Sequence, residues 1–287
     1  MKMKLFGSRK PVSHQMRIQE ERQFILNRKS DFFIREAYKA LRTNVNFSLT
    51  GESKCKTMIV TSSLQSEGKS LTAVNLAISI AETDKKVILI DCDLRRPKLS
   101  RLIDRKTNAG LSNLLMDLEL LPEVIQTGDF PVDVIFSGDI PPNPSELLGS
   151  ARMVKLLEIL KQRYDYIIMD TPPINMVTDA VVLGQHTDGV LFVVRANQSE
   201  RGAVSHAVEQ LEYAQIKILG FALNGVDLEK TNYGYGKYRY KRYSRYGYGK
   251  GYGYGRGYGY GGYGGGYGYG YGYQPQPESD KPGREKA

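Results

Sequence analysis

Three residues suited to phosphate binding, Gly68, Lys69 and Ser70, lie where an apolar run meets an apolar helical pattern. They end the segment SSLQSEGKS (62–70), which follows TMIVT and precedes LTAVNLAISIA. This segment fits the pattern G-x-x-x-x-G-K-[ST], except that Ser63 replaces the first glycine. Backbone N–H groups at a helix start favour phosphate, and Lys69 and Ser70 are placed to contact the β- and γ-phosphates and Mg²⁺. The segment therefore predicts a site for nucleotide phosphates.

Three aspartates end two other apolar runs. Asp91 and Asp93 lie in VILIDCDLRRP (87–97), and Asp170 lies in YDYIIMDTPP (164–173), whose apolar part resembles a Walker B strand. Ligands of open α/β sheets bind at the carboxyl ends of the strands. Any one of these acids could be a loop residue or a helix cap. Three of them together with a phosphate loop predict a site that organises Mg²⁺ and phosphate.

The elements that position these residues alternate between strand-like and helical patterns. The apolar runs are continuous, as expected of strands covered on both faces, and they occupy residues 57–61, 87–91, 132–136, 166–170, 189–194 and 216–223. The main helical patterns cover residues 31–47, 70–82, 145–163 and 200–214. This order predicts an α/β fold with a mostly parallel β-sheet and helices on both of its faces.

Residues 233–273 contain only Tyr, Gly, Lys, Arg and Ser244. They hold 16 of the 20 tyrosines and +7 of the net charge of +9. With many glycines and no aliphatic residue, this tyrosine cluster is expected to be a solvated, mobile tail. Beside a phosphate site, its tyrosines are candidate phosphate acceptors: Tyr233, Tyr235, Tyr238, Tyr240, Tyr243, Tyr246, Tyr248, Tyr252, Tyr254, Tyr258, Tyr260, Tyr263, Tyr267, Tyr269, Tyr271 and Tyr273. The same composition also fits an RNA-binding or condensate-forming segment.

These patterns predict three parts of the chain. Residues 1–29 form a flexible arm, residues 30–230 form the phosphate-binding domain with its first helix at 31–47, and residues 231–287 form the disordered tail. The only two cysteines and the lack of a signal-peptide pattern favour the cytoplasm. No apolar run approaches 18 residues, so no transmembrane helix is expected.

Taken together, the motifs resemble those of the bacterial tyrosine kinases, which belong to the MinD/ParA-like branch of P-loop NTPases. In that family TSSLQSEGKS (61–70) corresponds to Walker A, VILIDCDLRRP to Walker A′ and YIIMDTPP to Walker B. The segment SGDIPPNPSELLGSARM (137–153) also resembles the family. The resemblance implies a P-loop NTPase fold and an ATP-dependent protein-tyrosine kinase that uses ATP and Mg²⁺.

The resemblance also implies roles for individual residues. Asp91 would be the base for the incoming phenol, and the expected catalytic residues are Lys69, Asp91, Asp93 and Asp170. The expected Mg²⁺ ligands are Ser70, Asp91 and Asp170. The expected nucleotide-binding residues are Ser66, Glu67, Gly68, Lys69, Ser70, Leu71 and Asn224, the last by its match to an asparagine near the adenine pocket.

One departure separates the chain from the positioning ATPases of the same branch. Those proteins carry a signature lysine within KGGxGK, whereas this chain has Leu64 there, followed by Gln65 and Ser66. The tyrosine kinases share this departure. The alternative interpretation is a MinD/ParA-like ATPase without kinase activity.

The family's first helix carries E-x-x-R-x-x-R, which is linked to ring-shaped oligomers, and this chain has Glu36, Lys39 and Arg42 at those positions. The resemblance therefore implies a ring in which subunits phosphorylate one another's tails. It also implies a transmembrane activator or polysaccharide co-polymerase, a phosphotyrosine phosphatase, and control of capsular or extracellular polysaccharide export. The expected location is cytoplasmic, at the inner face of the cell membrane. No specific nucleic acid is expected as a partner.

Overall fold

Six parallel strands form a central β-sheet in this computed structural model, which describes residues 20–50, 53–105, 107–128 and 130–226. The strands are β1 (Lys56–Ser62), β2 (Val87–Asp91), β3 (Asp133–Ile135), β4 (Tyr166–Asp170), β5 (Val190–Arg195) and β6 (Ile218–Asn224). Their order is β3-β2-β4-β1-β5-β6, and every pairing between them is parallel. All six predicted strands are present within two residues of the expected bounds, and the fold class is confirmed.

Helices cover both faces of this sheet. They are α1 (Phe32–Ser48), α2 (Lys69–Ala81), α3 (Leu99–Ile103), α4 (Leu111–Met116), α5 (Leu121–Val124), α6 (Pro144–Leu148), α7 (Ala151–Lys161), α8 (Asp179–Gly184) and α9 (Arg201–Tyr213). Successive residues of a strand point to opposite faces. Accordingly, Ile59 of β1 lies in one apolar core, and its neighbours Met58 and Val60 lie in the other.

Strand register brings the predicted acids together. In the pairing of β2 with β4, Asp91 lies directly beside Asp170, and in the pairing of β1 with β4, Val60 lies beside Asp170. The phosphate loop, residues 62–70, leaves the carboxyl end of β1 and enters α2. The sheet therefore brings all these groups together at the carboxyl ends of its strands, where α/β folds bind ligands.

The expected single helix over residues 145–163 is wrong, because two helices, α6 and α7, occupy that stretch. The first of these helices ends just before Gly149, where a Cβ atom would lie 2.8 Å from a side-chain carbon of Val182. The next residue, Ser150, begins a new helix because its hydroxyl accepts a hydrogen bond from the Met153 N–H.

The expectation that every strand is covered on both faces is wrong for β6. This strand lies at an edge of the sheet. Phe221 and Leu223 are 54% and 62% exposed. A continuous apolar run therefore identified the strand correctly but did not reveal its position at the sheet edge.

The structure also differs from the expected mobile arm over residues 20–29. Leu26 is buried and donates its N–H to the Asn75 side chain at 2.8 Å, and the same side chain donates to the carbonyl of Phe24 at 2.9 Å. Arg22 pairs with Asp104 at 2.7 Å. Asn75 lies on α2, so this segment is fastened to the helix that follows the phosphate loop. The remaining arm and the tyrosine cluster lie outside the described residues.

Candidate active site

The phosphate loop adopts a backbone conformation that requires glycine at its end. Gly68 has φ 94° and immediately precedes α2. A Cβ atom there would lie 1.9 Å from Nδ2 of Asn224, so no other residue fits without moving that side chain. The loop therefore delivers the first N–H groups of a 13-residue buried helix to its surface.

Inside the loop, the Glu67 carboxylate points inward. Its side chain is buried and accepts hydrogen bonds from the Ser63 hydroxyl at 2.9 Å and the Leu64 N–H at 2.8 Å. Ser63 is therefore a structural substitute for the usual first glycine, because its hydroxyl fixes the carboxylate. The prediction that Glu67 binds nucleotide can apply only to its backbone, since its carboxylate is buried and bound to the Ser63 hydroxyl and the Leu64 N–H.

Lys69 forms the positive centre of the site. Its ammonium lies 3.2 Å from Asp93 Oδ2, 3.7 Å from Asp170 Oδ1 and 3.5 Å from the Ser70 hydroxyl. Burial lowers the pKa of Lys69, but Asp170 and Asp93 outweigh that effect and the pKa is raised overall. The lysine is therefore charged at neutral pH, as contact with phosphate requires.

Asp91 is fully buried between two backbone donors. Its carboxylate accepts the Asp93 N–H at 3.2 Å and the Leu99 N–H at 3.1 Å. Burial, together with the charges of Asp170 and Asp93, raises its pKa to about 8. This pKa lies far nearer to neutral pH than that of an exposed aspartate, as general-base chemistry requires, and the charge of bound Mg²⁺ would lower it and leave the carboxylate free to accept a proton.

Asp170 is the group that most clearly calls for a cation. Both of its oxygens are buried, and neither accepts a hydrogen bond from the described residues. Burial raises its pKa, and the Lys69 charge and the nearby Ser70 hydroxyl only partly oppose this. A buried carboxylate without donors is costly unless a cation offsets its charge.

The donor set fits Mg²⁺. Ser70, Asp91 and Asp170 offer hard oxygen atoms, and Mg²⁺ usually takes one or two carboxylates together with substrate phosphates. Within the described ranges, no group of three or more His, Cys, Asp or Glu side chains could hold a metal ion by itself. Mg²⁺ binding at these residues would therefore depend on the phosphates of the nucleotide.

The raised pKa of Asp91 leads to a stability prediction. Without metal, folded Asp91 keeps its proton up to a pH of about 8, whereas the unfolded chain loses it near the ordinary value of 3.8. Because the folded state binds the extra proton, the free energy of unfolding should fall as the pH rises between those values. Urea titrations in EDTA from pH 5 to 8 should show this fall.

Asp91→Asn should reduce that pH dependence, since an amide does not titrate. The matched control is Asp84→Asn, an exposed aspartate in a turn with φ 59°, a conformation that asparagine tolerates. The control should keep the wild-type slope. Identical slopes in wild type and Asp91→Asn would contradict the pKa assignment.

A second polar network beside the site was missed by sequence reasoning. Arg95 holds the fully buried Asp179 with two hydrogen bonds, from Nε at 2.9 Å and from Nη2 at 3.1 Å, and also donates to the Ser145 hydroxyl at 2.9 Å. These contacts fasten the loop after β2 to α6 and α8. The available signals were Arg95 in the Walker A′ motif and Ser145 in the segment that resembles the family, but nothing in the sequence paired them.

The remaining predicted residues fall into two groups. Asn224 and the half-buried Leu71 lie at or beside the phosphate loop, and Asn224 Nδ2 donates to the Glu67 carbonyl at 3.2 Å. Its contact with adenine stays a prediction. The three residues of the predicted oligomerisation motif lie on α1, outside the site.

Within that motif, Glu36 and Lys39 form an ion pair at 2.7 Å. Arg42 instead bonds to the carbonyl of Ser79 on α2. The motif therefore makes contacts within its own chain, and a role in assembly stays a prediction.

Comparison with known proteins places this site in a family. The protein family described as AAA domain matches residues 57–218. The chain is 39% identical to the tyrosine-protein kinase YwqD of Bacillus subtilis, over 70% of this chain and 85% of that protein. The chain belongs to the bacterial tyrosine-protein kinases.

Two solved structures agree with this assignment. The kinase domain of the Escherichia coli tyrosine kinase ETK matches with a TM-score of 0.64 and 40% identity, covering 67% of this chain and 76% of that one. The chimerical protein CapA2B2 matches with a TM-score of 0.66 and 32% identity, covering 71% and 89%. The present kinase is therefore an ATP-dependent protein-tyrosine kinase with a P-loop NTPase fold, and the family and activity inferred from its motifs are confirmed. None of its described helices is long and apolar enough to cross a bilayer.

Proposed function

We propose that this kinase transfers the γ-phosphoryl group of ATP to its own C-terminal tyrosine cluster, from one subunit to the tail of another. The observation that carries the proposal is that Lys69 lies together with Asp91, Asp93 and Asp170 at the carboxyl ends of the strands. ATP would lie on residues 66–71 and Asn224, with Mg²⁺ held by Ser70, Asp91 and Asp170.

In the proposed reaction, a tyrosine oxygen attacks the γ-phosphorus while the bond from that phosphorus to the β,γ-bridging oxygen breaks. ADP leaves with the bonding electrons, and the phenol proton passes to the Asp91 carboxylate. Lys69 offsets the charge that spreads over the phosphoryl oxygens, and Asp93 holds the Lys69 ammonium in place. When bound, Mg²⁺ would supply further neutralisation of phosphate charge.

The tyrosines of the described residues support the cluster as acceptor. Tyr38 is partly buried against the apolar core, and the hydroxyls of Tyr164 and Tyr166 donate to Asp133 at 2.7 Å and Asn46 at 3.0 Å. Tyr213 is 94% exposed but lies at the last position of α9. Its backbone is fixed in a helix, which keeps it from extending into a neighbouring active site. The remaining 16 tyrosines form the cluster.

The resemblance to the family supports the proposed setting. The kinase would assemble as a ring through Glu36, Lys39 and Arg42, and a transmembrane activator or polysaccharide co-polymerase would hold it in the cytoplasm at the inner face of the membrane. A phosphotyrosine phosphatase would reverse the reaction. The cycle would regulate synthesis and export of a capsular or extracellular polysaccharide.

Transfer between subunits is tested by mixing two forms of the full chain with ATP and Mg²⁺. One form is unlabelled wild type, and the other is isotopically heavy Lys69→Met, which lacks the phosphate-binding ammonium. Mass spectrometry should find phosphate on cluster peptides of the heavy chain. Phosphate confined to light chains would show transfer within one subunit and contradict the proposal.

The same digest contains a matched control. Trypsin releases residues 202–217, GAVSHAVEQLEYAQIK, whose only tyrosine is Tyr213. This exposed but helical tyrosine should stay unmodified while the cluster is phosphorylated. Phosphate on Tyr213 alone would reject the cluster as the acceptor.

A further inference from the structure

The loop between β5 and α9, residues 196–200, and the adjoining Arg195 contact the phosphate loop at Ser66 and Glu67. Gln198 Nε2 donates to the carbonyl of Ser66 at 3.3 Å, and Nη1 of Arg195, the last residue of β5, does the same at 3.3 Å. Beside them, the Ser199 hydroxyl accepts a hydrogen bond from the Arg195 N–H at 2.8 Å and donates one to the Glu67 carboxylate. Ser199 therefore connects the end of a sheet strand to the acid inside the phosphate loop.

The buried Glu67 carboxylate depends on neutral hydrogen-bond donors. It is 1% exposed, and it forms no ion pair with a cationic side chain in the part of the chain that the structure describes. Its charge is offset by the Ser63 hydroxyl, the Leu64 N–H and the Ser199 hydroxyl. Hydrogen bonds to a charged group are stronger than neutral ones, and leaving a buried charge short of a donor is costly.

The loop also needs such support because its backbone is strained. Ser66 has φ 65°, which is unfavourable for a residue other than glycine, and Gly68 two residues later has φ 94°. Such conformations persist only where surrounding contacts hold them. Glu67 lies between these two residues, so fixing its side chain fixes the turn that presents the phosphate-binding N–H groups.

We propose that the hydrogen bond from Ser199 to Glu67 is a latch that holds the phosphate loop in its nucleotide-binding conformation. Ser199 is a positioning residue, which acts through Glu67 and contacts neither Lys69 nor the three aspartates in the described structure. The inference rests on nucleotide binding and not on the proposed phosphorylation of the tail, so ADP binding tests it separately.

Opening the latch should weaken nucleotide binding more than it slows phosphoryl transfer. The matched variants are Ser199→Ala, which removes the hydroxyl, and Ser199→Thr, which keeps it. Ser205→Ala makes the same chemical change at an exposed position of α9. Calorimetric titration of the full chain with Mg·ADP should show about tenfold weaker binding for Ser199→Ala, as for loss of one hydrogen bond to a charged group. Ser199→Thr and Ser205→Ala should bind within about twofold of wild type.

Two further measurements separate a latch from a general loss of structure. The KM for ATP should rise about tenfold in Ser199→Ala while kcat changes less than about threefold, since the acids and Lys69 stay in place. In the double variant Glu67→Ala with Ser199→Ala, binding should be no weaker than in Glu67→Ala alone, because Glu67→Ala already removes the acceptor of the Ser199 hydroxyl. Unchanged ADP affinity in Ser199→Ala, a fall in kcat without a change in KM, or fully additive losses would each overturn the latch.

Discussion

Lys69→Met is expected to abolish detectable tyrosine phosphorylation, with a loss of roughly 10³-fold or more. In the folded protein the Lys69 ammonium lies within 3.7 Å of both Asp93 and Asp170. Methionine has a similar length but no charge, so three acids would crowd the phosphate site without the ammonium that faces two of them. Both phosphate binding and stabilisation of the transition state should fail. Anti-phosphotyrosine detection with mass spectrometry of the full chain measures the effect.

The control for this variant is Lys155→Met, the same change at an exposed position of α7. It should keep wild-type phosphorylation. Thermal unfolding of Lys69→Met must be recorded in parallel, because removing one partner of a buried ion pair is itself destabilising. Full phosphorylation in a folded Lys69→Met protein would reject the assignment of the phosphate loop.

Asp91→Asn is expected to slow phosphoryl transfer by about 10²- to 10⁴-fold, the usual contribution of a general base. Nucleotide affinity should change far less, because Ser70, Asp170 and the phosphates would still hold Mg²⁺, and the Asp91 carboxylate itself contacts the backbone N–H groups of residues 93 and 99. An amide can replace one of these acceptors but cannot take the phenol proton. Single-turnover rates at saturating ATP measure transfer, and Mg·ADP titration measures binding.

Asp84→Asn again supplies the matched control, since this exposed aspartate lies in the turn before β2, at the opposite end of that strand. Its transfer rate should equal that of wild type. If Asp91→Asn lost nucleotide binding but transferred at a normal rate with saturating ATP, Asp91 would not be the base. Transfer lost only in Asp93→Asn would assign that role to the neighbouring acid.

Strands and the strand-end acids could be predicted because each is a local property of the sequence. The run VILID is buried along its whole length, and the acid that ends it meets Asp170 through simple parallel register. The phosphate loop was recognisable from Gly68, Lys69 and Ser70 despite the serine at position 63. The buried apolar strands and the fixed spacing of the residues in the phosphate loop thus carry most of the information needed to locate the site.

The contacts that hold the site together could not be predicted, because they join residues far apart in the chain. Ser199 lies 132 positions after Glu67, and Asp179 lies 84 positions after Arg95. No local pattern of hydrophobicity or helix capping relates such pairs. The division of residues 145–163 into α6 and α7 could not be predicted for a similar reason. The two helices are separated at Gly149, which packs closely against Val182 of α8, a residue distant in the sequence.

Sheet order also dictates when the site can form during synthesis. β1, which leads into the phosphate loop, lies between β4 and β5, so its first partner emerges from the ribosome about a hundred residues after β1 ends at Ser62. At 5–20 residues per second this delay is about 5–20 s. Throughout that time an apolar strand has no sheet neighbour, and nucleotide cannot help the nascent chain to fold until Asp170 has been made. Synonymous codon changes that alter translation speed between β1 and β4 should therefore affect the yield of soluble kinase more than similar changes after β5.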